Sequence, residues 1–453
     1  MTDITSLKTV LVANRGEIAL RAIRTCRELN IRTIGIYSAP DSASPHAWLA
    51  DKSVCVGPAA SENSYLCADS LIHIAKETNC DGIYPGYGFL AENAKFAELC
   101  EENNIKFVGP SSKIIATMGD KVEARKVAIR HGVPVVPGSA KAFTDASAAQ
   151  KETKDLGFPL LLKARSGGGG KGMRVVEKKI DFVSAFGQAS REAMAAFGDG
   201  GIYLERFFPA VRHIEIQVLG DGKGEALAFE ERDCSLQRRH QKLIEESPSP
   251  KISKVVREKL IDVALKITKG ISYEGAGTVE FIFDEEDQKF YFIEMNTRIQ
   301  VEHPVTEMRY DIDLVRAQFE IASGKKILSH FRKAVNGHAI QFRINAEDWR
   351  RNFFPSPGVL KFWSPPSGDG IRVDSAAYRG LNISPYYDSL VAKLIIFGLN
   401  RDDCLKKAGH ALSRFGCEGI ESTIDFHKMI IEHFAFQKSK IHTRWIDNEM
   451  RLT

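Results

Sequence analysis

The residues with the clearest capacity for chemistry lie in TVEFIFDEEDQKFYFIEMNTRIQVEHPVTE, residues 278–307. Apolar and polar types alternate on both sides of a polar turn, which predicts two strands, Thr278–Asp284 and Phe290–Asn296. Side chains of a strand alternate between faces. If Asp284 pairs with Phe290, Glu280 lies opposite Glu294, and Asn296 points the same way. Facing carboxylates repel. Protonation, a neighbouring Lys or Arg, or a divalent cation must offset that repulsion. Carboxylate and amide oxygens suit Mg²⁺ or Mn²⁺, particularly with phosphates completing the shell. A wet hairpin face is the usual reading of strand charges. Glu294 argues against it, because it sits inside the hydrophobic run FYFIEM. Downstream, Arg298, Gln300, Glu302 and His303 crowd further polar groups together.

Other segments offer partners for such a site. In SGGGGKGM, residues 166–173, successive glycines free backbone N–H groups to approach phosphate oxygens, and Lys171 adds charge. The loop departs from the Walker pattern, because Arg165 stands where the first glycine is needed and Gly172 follows Lys171. Strands on both sides suggest a hairpin lid. Lys163 lies in the apolar strand PLLLKA and needs an anionic partner. Glu205 ends a strand and is followed by apolar side chains, an edge that suits an adenine ring. ERDCSLQRRHQK, residues 231–242, concentrates Arg232, Arg238, Arg239, His240 and Lys242. Such a run is usually a solvated face, but opposite an acidic hairpin it could hold anions. Arg343 lies in an alternating strand between Phe342 and Ile344, where a salt-bridge role is the ordinary expectation.

The elements that position these groups fall into three parts. Residues 1–132 alternate strands with helices, beginning with the strand at Thr9–Ala13, which predicts a parallel, doubly wound sheet. The first turn, NRGEIA, lacks the glycine pattern of dinucleotide binding. Asn14 and Glu17 read as a capping box, and Pro85-Gly86-Tyr87-Gly88 as a turn walling a pocket. A helix is expected over Asp120–His131, stopped by Gly132. VPVVPGS then breaks both periods and opens a smaller unit, 133–204. Its helices are expected at Ala146–Leu156 and Ile180–Phe197. Residues 205–453 are strand-rich at first and end in helices near Asp402–Phe415 and Thr423–Phe434.

Composition excludes several classes. A chain of 453 residues can bury a large core in two or three domains. A net charge of +4 gives no reason to expect a nucleic-acid or membrane-surface partner. No apolar run reaches the ~20 residues of a membrane helix, and no export signal is visible, so a cytoplasmic protein is expected. The eight cysteines are scattered without a C-x-x-C pair, which speaks for reduced thiols.

Together, MGDK (118–121), LLKARSGGGGKGM (161–173), RHIEIQV (212–218), ERDCSLQRRHQK (231–242), FIEMNTRIQVEHPVTE (292–307), RINAED (343–348) and PYYDSLVAKL (385–394) resemble biotin carboxylases of the ATP-grasp superfamily. NRGEIALR (14–21) and YPGYGFLAEN (84–93) resemble their N-terminal domain. The resemblance implies an α/β and α+β architecture. It would have a Rossmann-like domain at 1–132, a mobile glycine-rich lid at 133–204 and a C-terminal catalytic domain at 205–453. It implies that bicarbonate attacks the γ-phosphorus of ATP to give carboxyphosphate, which breaks down to CO₂ and phosphate. Phosphate then deprotonates the biotin ureido nitrogen, which captures the CO₂.

The same resemblance assigns residues. Glu280, Glu294 and Asn296 would hold Mg²⁺ or Mn²⁺, two ions in all. ATP would meet Lys121, Lys163, Gly169, Gly170, Glu205, Arg206, Phe207, Phe208, His213, Gln237, His240, Glu280 and Glu294. Bicarbonate would meet Lys242, Arg298, Gln300 and the backbone of Val301, with Glu302 as its base. Biotin would meet Arg343 and Tyr87. Arg206 replaces a lysine common in bacterial members, and Asp369 an interface aromatic, while Arg24 and Glu28 match other interface positions of a homodimer. No Met-Lys-Met biotin attachment motif occurs in the sequence. Biotin is therefore expected on a separate carrier protein, with carboxyltransferase subunits as further partners. The expected role is the first half-reaction of acetyl-CoA carboxylase, feeding fatty acid synthesis. The alternative is a subunit of another acyl-CoA or 2-keto-acid carboxylase. No partner in nucleic acid or membrane is expected.

Overall fold

Five short parallel strands form the N-terminal sheet, in the order Lys52–Gly57, Arg32–Ser38, Thr9–Val12, Gly82–Tyr84 and Lys106–Phe107. The computed structural model describes residues 7–165, 173–327 and 333–450. Val10, Leu11, Ile34, Ile36 and Ile83 are fully buried, as strands covered on both faces require. Strand order reverses beside Thr9–Val12. The segments leaving its carboxyl end and that of Gly82–Tyr84 therefore diverge and open a crevice. Asn14 does not cap the helix Gly16–Glu28, whose N-cap is Arg15 with no side-chain bond. Its amide instead crosses the crevice and donates to Pro85 O at 2.6 Å and Tyr87 O at 2.8 Å. A long-range partner thus outcompetes the local capping box.

The middle segment has a hydrophobic core of its own, built from Leu160, Leu162, Phe182, Phe186, Ile202 and Leu204 among others. Three antiparallel strands, Met173–Val176, Leu160–Ala164 and Ile202–Arg206, carry the helices Ala146–Leu156 and Phe182–Phe197. The second helix starts later than expected, because Lys179–Asp181 forms a 3-10 turn and Ile180 is exposed. The glycine run, with Gly169, Gly170 and Lys171, lies outside the described residues.

An eight-stranded antiparallel sheet dominates the remainder, with three two-stranded sheets beside it. Its order is Lys289–Asn296, Glu274–Asp284, Arg212–Asp221, Ala226–Arg238, Gln241–Ser247, His338–Asn345, Leu390–Gly398 and Ile371–Ser375. The acidic hairpin has the expected pairings Thr278↔Asn296 and Glu280↔Glu294. Below them the register shifts, so that Phe281 pairs with Phe292 and Asp284 with Lys289 rather than Phe290. Ile293 is the extra residue of this bulge, which shortens the turn.

Helices that polar spacing obscured in the sequence support this sheet. Lys254–Gly270 packs Leu260, Ala264 and Ile267 beneath it. The helix expected over Asp120–His131 is present as Lys121–Arg130, capped by the Asp120 side chain, and a further helix, Ser112–Gly119, precedes it. Met118, Ala124 and Val127 pack against this sheet rather than the N-terminal one. All eight cysteines are free thiols. Among the described residues, no helix is long and apolar enough to cross a membrane.

Candidate active site

A cavity of about 1120 Å³ opens where the three sheets meet. It is lined by the crevice residues Asn14 and Tyr87, by Lys163 and Glu205 of the middle segment, and by one face of the eight-stranded sheet. Every described residue assigned to ATP, metal, bicarbonate or biotin borders it, from Lys121 through Arg206, Phe207, Phe208, His213, Gln237 and His240 to Val301 and Arg343.

A row of carboxylates runs through its base, Glu280 and Glu294 bordering the cavity and Glu215 buried behind them. Glu294 pairs with Glu280, and Glu280 with Glu215, across three adjacent strands. Glu215 escaped the sequence reading although the alternation His213, Glu215, Gln217 between Ile214 and Ile216 carries its signal. The counter-charges come from strands remote in sequence. Lys242 Nζ donates to Glu215 Oε2 at 2.6 Å, Glu280 Oε1 at 2.9 Å and Glu302 Oε1 at 2.7 Å. Lys121 reaches Glu294 at 3.1 Å, and His213 Nε2 lies 3.1 Å from Glu280 Oε2.

A second bulge places the next group. Leu236 pairs with Ile244 and Gln237 with Lys242, leaving Leu243 extra. This reverses the alternation, so Lys242 and Glu245 share one face of the sheet, Lys242 at the cavity and Glu245 buried beside it. Arg343, on the neighbouring strand, donates through Nε to Glu245 Oε1 at 2.6 Å and through Nη2 to Glu302 Oε2 at 2.9 Å. Both oxygens of Glu302 are thus held by cations. Gln300 donates to Glu280 Oε1 at 2.7 Å and accepts from Arg232 at 2.9 Å. Arg298 is anchored by Glu92 of the N-terminal part at 2.8 Å, a partner the sequence reading missed.

The basic run does not face the cavity as a block. Only its His240 and Lys242 reach it, beside the neutral Gln237 and Gln241. Arg232 is fully buried and ties Glu215, Gln217, Thr278, Thr306 and Gln300 together. Arg238 stacks on Phe353, 4.7 Å from the ring centre. Arg239 and His240 form a two-residue hairpin turn with φ of 46° and 67°, a conformation disfavoured for residues other than glycine. At the far end, Lys163 is paired with Glu205, so the buried lysine has the anionic partner its strand demanded. Arg444 lies 5.3 Å from the centre of the Phe207 ring, and Phe208 stacks on Tyr291. At the crevice end, Tyr87 donates to Glu17, whose Oε1 lies 2.9 Å from the buried Lys393.

Burial pushes the carboxyls of this site up, and their cations pull them down. Lys242 and His213 win at Glu280, leaving it well below the usual range. Lys242, Arg343 and Arg232 do the same at Glu302. Lys242 itself is raised by its three carboxylates in spite of burial. At Glu245 burial wins, with Glu302 adding to it, and the carboxyl rises to about 7 despite Arg343. On the same strand, Arg401 and His338 overcome burial and bring Glu246 to about 2. A carboxyl with a depressed folded pKa contributes stability that is present above its unfolded value, ~4.3, and lost as pH falls through the folded one. The thermal midpoint should therefore fall between pH 5 and pH 3. Arg401→Met should lower the midpoint at pH 7 and make that fall shallower. A slope unchanged from wild type would remove the Arg401–Glu246 pair as its source.

Glu280, Glu294 and Asn296 offer oxygen donors only, on the cavity face, with two carboxylates in direct register. That donor set fits a hard divalent cation. Among the described His, Cys, Asp and Glu residues, the groups of three whose metal-capable atoms lie within 4.8 Å of one another are His213, Glu215 and Glu280, and Glu215, Cys234 and Glu302.

Three main sheets closing on a cavity of buried lysines and facing carboxylates define an ATP-grasp ligase. Residues 120–330 match the ATP-binding domain of carbamoyl-phosphate synthase L chain, and 6–115 and 341–448 the N- and C-terminal domains of biotin carboxylase. Biotin carboxylase 1 of Bacillus subtilis is 49% identical over 97% of this chain and 98% of its own. A pyruvate carboxylase subunit from Methanothermobacter thermautotrophicus is 43% identical over 98% of this chain and 90% of its own. A crystal structure of the Campylobacter jejuni biotin carboxylase complex with β,γ-ATP superposes with a TM-score of 0.96 at 44% identity, covering 99% of this chain and 100% of that one. The biotin carboxylase domain dimer of Hydrogenobacter thermophilus 2-oxoglutarate carboxylase, in complex with MgADP, ADP and bicarbonate, gives 0.94 at 43%, covering 99% and 98%. The chain belongs to the biotin carboxylase family, ATP-dependent ligases that carboxylate biotin.

Proposed function

We propose that this cavity activates bicarbonate with MgATP and passes the carboxyl group to biotin on a separate carrier protein. The observation that carries the reading is the Lys242–Glu302–Arg343 array, an acid–base carboxylate between two cations at the meeting point of the three sheets. Lys121, Lys163, His213, Gln237 and His240 would meet the nucleotide, with Gly169 and Gly170 over its phosphates. Glu205, Arg206, Phe207 and Phe208 would form the base slot. The Lys163–Glu205 and Lys121–Glu294 pairs hold these side chains at the cavity until phosphate oxygens take them over. Glu280, Glu294 and Asn296 would hold Mg²⁺, which neutralises the triphosphate oxygens when bound.

Lys242, Arg298, Gln300 and the backbone of Val301 would seat bicarbonate. As Lys242 and Arg298 turn to the anion, Glu302 loses one of the cations that depress it and becomes basic enough to take the bicarbonate proton. A bicarbonate oxygen then bonds to the γ-phosphorus as the bond to ADP breaks. The carboxyphosphate so formed releases CO₂ and phosphate. Phosphate removes the ureido proton, and the nitrogen bonds to CO₂. Arg343 would face the negative charge that develops on the ureido oxygen, with Tyr87 beside it. Release of ADP with free biotin tests the reading. It should require bicarbonate, and bicarbonate-independent release would overturn it.

The same reading treats 1–132, 133–204 and 205–453 as three domains, the middle one, with its separate core, moving as the lid. A homodimer is proposed through the charged groove of about 430 Å³ that holds Arg24, Glu28 and Arg372. Asp369, fully exposed beside Lys407, would lie near it. Service in acetyl-CoA carboxylase is the first reading, carried by the resemblance of the motifs, and a relative named simply as a biotin carboxylase is consistent with it. A second reading, as part of a pyruvate or 2-oxoglutarate carboxylase, is favoured by the relatives from those enzymes. Co-purified carrier and carboxyltransferase components, tested with acetyl-CoA, pyruvate and 2-oxoglutarate in turn, distinguish the two.

A further inference from the structure

We infer that Glu245 is a positioning residue for the reaction, fixing the Arg343 guanidinium against the reacting atoms while Glu302 changes its charge. The inference rests on the proposed roles of Arg343 and Glu302. Glu245 is fully buried behind the cavity wall, and the bulge at Leu243 puts it on the same sheet face as Lys242 and the cavity-lining Arg343. It accepts from Arg343 Nε at 2.6 Å and from the buried Gln341 Nε2 at 3.0 Å. Gln341 pairs directly with Glu245 across the two strands. One carboxylate oxygen is thus anchored on the protein and the other steers the arginine.

The need for such an anchor follows from the charges. Arg343 lies between two carboxylates, and the second, Glu302, is the group that takes a proton. Once Glu302 is neutral, its hold on Nη2 weakens. Without Glu245, the guanidinium would lose the acceptor that holds its Nε at the step in which it has to face the developing negative charge. Fixed donors aimed at such charge lower the barrier because they need no reorganisation. Lys242, on the same strand, cannot substitute, since it is a cation engaged by Glu215, Glu280 and Glu302. Glu245 touches neither nucleotide-end lysine, so its effect should fall on biotin-dependent turnover and spare the KM for ATP.

The test is a double-mutant cycle on the whole protein with free biotin, ATP and bicarbonate. Glu245→Gln should lower kcat by about 10–100-fold, as loss of an orienting partner does, with an unchanged KM for ATP. In an Arg343→Ala background the same change should cost less than about twofold more, because its only route is through that arginine. Gln341→Met keeps the volume and removes only the anchor of Glu245, so it should give a smaller loss in the same direction. It also keeps the test open if Glu245→Gln does not fold. A full additional loss in the Arg343→Ala background, or wild-type kcat in Glu245→Gln or in Gln341→Met, would overturn the inference. Wild-type turnover in Arg343→Ala itself would instead overturn the proposed role of that arginine.

Discussion

Glu302→Gln should reduce bicarbonate-dependent ADP release by about 10²–10⁴-fold, the range general-base catalysis commands, while ATP still binds. The side chain is almost completely buried and meets a cation at each oxygen, Lys242 at 2.7 Å and Arg343 at 2.9 Å. Glutamine has the same shape but one acceptor oxygen. Its amide nitrogen would face one of the two cations and could not take a proton from bicarbonate. The nucleotide-end groups, Lys121, Lys163 and Glu205, are paired among Glu294 and themselves and do not touch Glu302. Calorimetry should therefore give an ATP affinity near that of wild type. Turnover within about threefold of wild type, far short of the general-base range, would remove Glu302 as the base. Loss of ATP binding together with turnover would show a structural role instead.

Lys242→Met should have the largest effect on stability, about 3–5 kcal/mol, the range for leaving buried charges without a partner. One ammonium serves Glu215, Glu280 and Glu302, and the first two are already neighbours in register. Removing it leaves mutually repelling carboxylates in a buried site. The sign of the pH dependence should change with it. In the wild type, Glu280 and Glu302 have depressed folded pKa values, so their stabilisation is complete above ~4.3 and lost below it. Without Lys242 those values rise above the unfolded one, the folded state binds the extra protons, and stability falls as pH rises from 5 to 8. Adding Glu280→Gln should restore part of the thermal midpoint but none of the turnover. A Lys242→Met protein that melts with wild type and keeps its pH profile would show that the carboxylates find another counter-charge.

Local pattern was enough for much of this protein. Alternating strands and helices announced the parallel sheet, because covered parallel strands read as short apolar runs such as TVLV. The pairing of Glu280 with Glu294 was expected from an Asp284–Phe290 register; the turn is one residue shorter than that, and the bulge at Ile293 restores the pair. The long ordered motifs marked residues that converge on one cavity from Asn14 to Arg343. Charge clustering misled where it was taken as one surface. Arg232 and Lys242 belong to adjacent strands of the same sheet, yet only the lysine faces the cavity.

What the tertiary structure alone decided was which charges meet. Lys242 is 27 residues from Glu215 and 60 from Glu302, and Arg343 is 98 from Glu245. No local rule sets those distances, because each depends on which strands become neighbours in the eight-stranded sheet. Two single-residue bulges, at Ile293 and Leu243, then decide which faces these side chains share. A bulge leaves almost no mark in composition, but by inserting one residue it inverts the alternation beyond it. The sequence by itself determined the chemical types available, two facing carboxylates with lysines and arginines to match. Folding assigned each cation to its carboxylate, because Coulomb attraction and burial act between neighbours in space, whatever their separation along the chain.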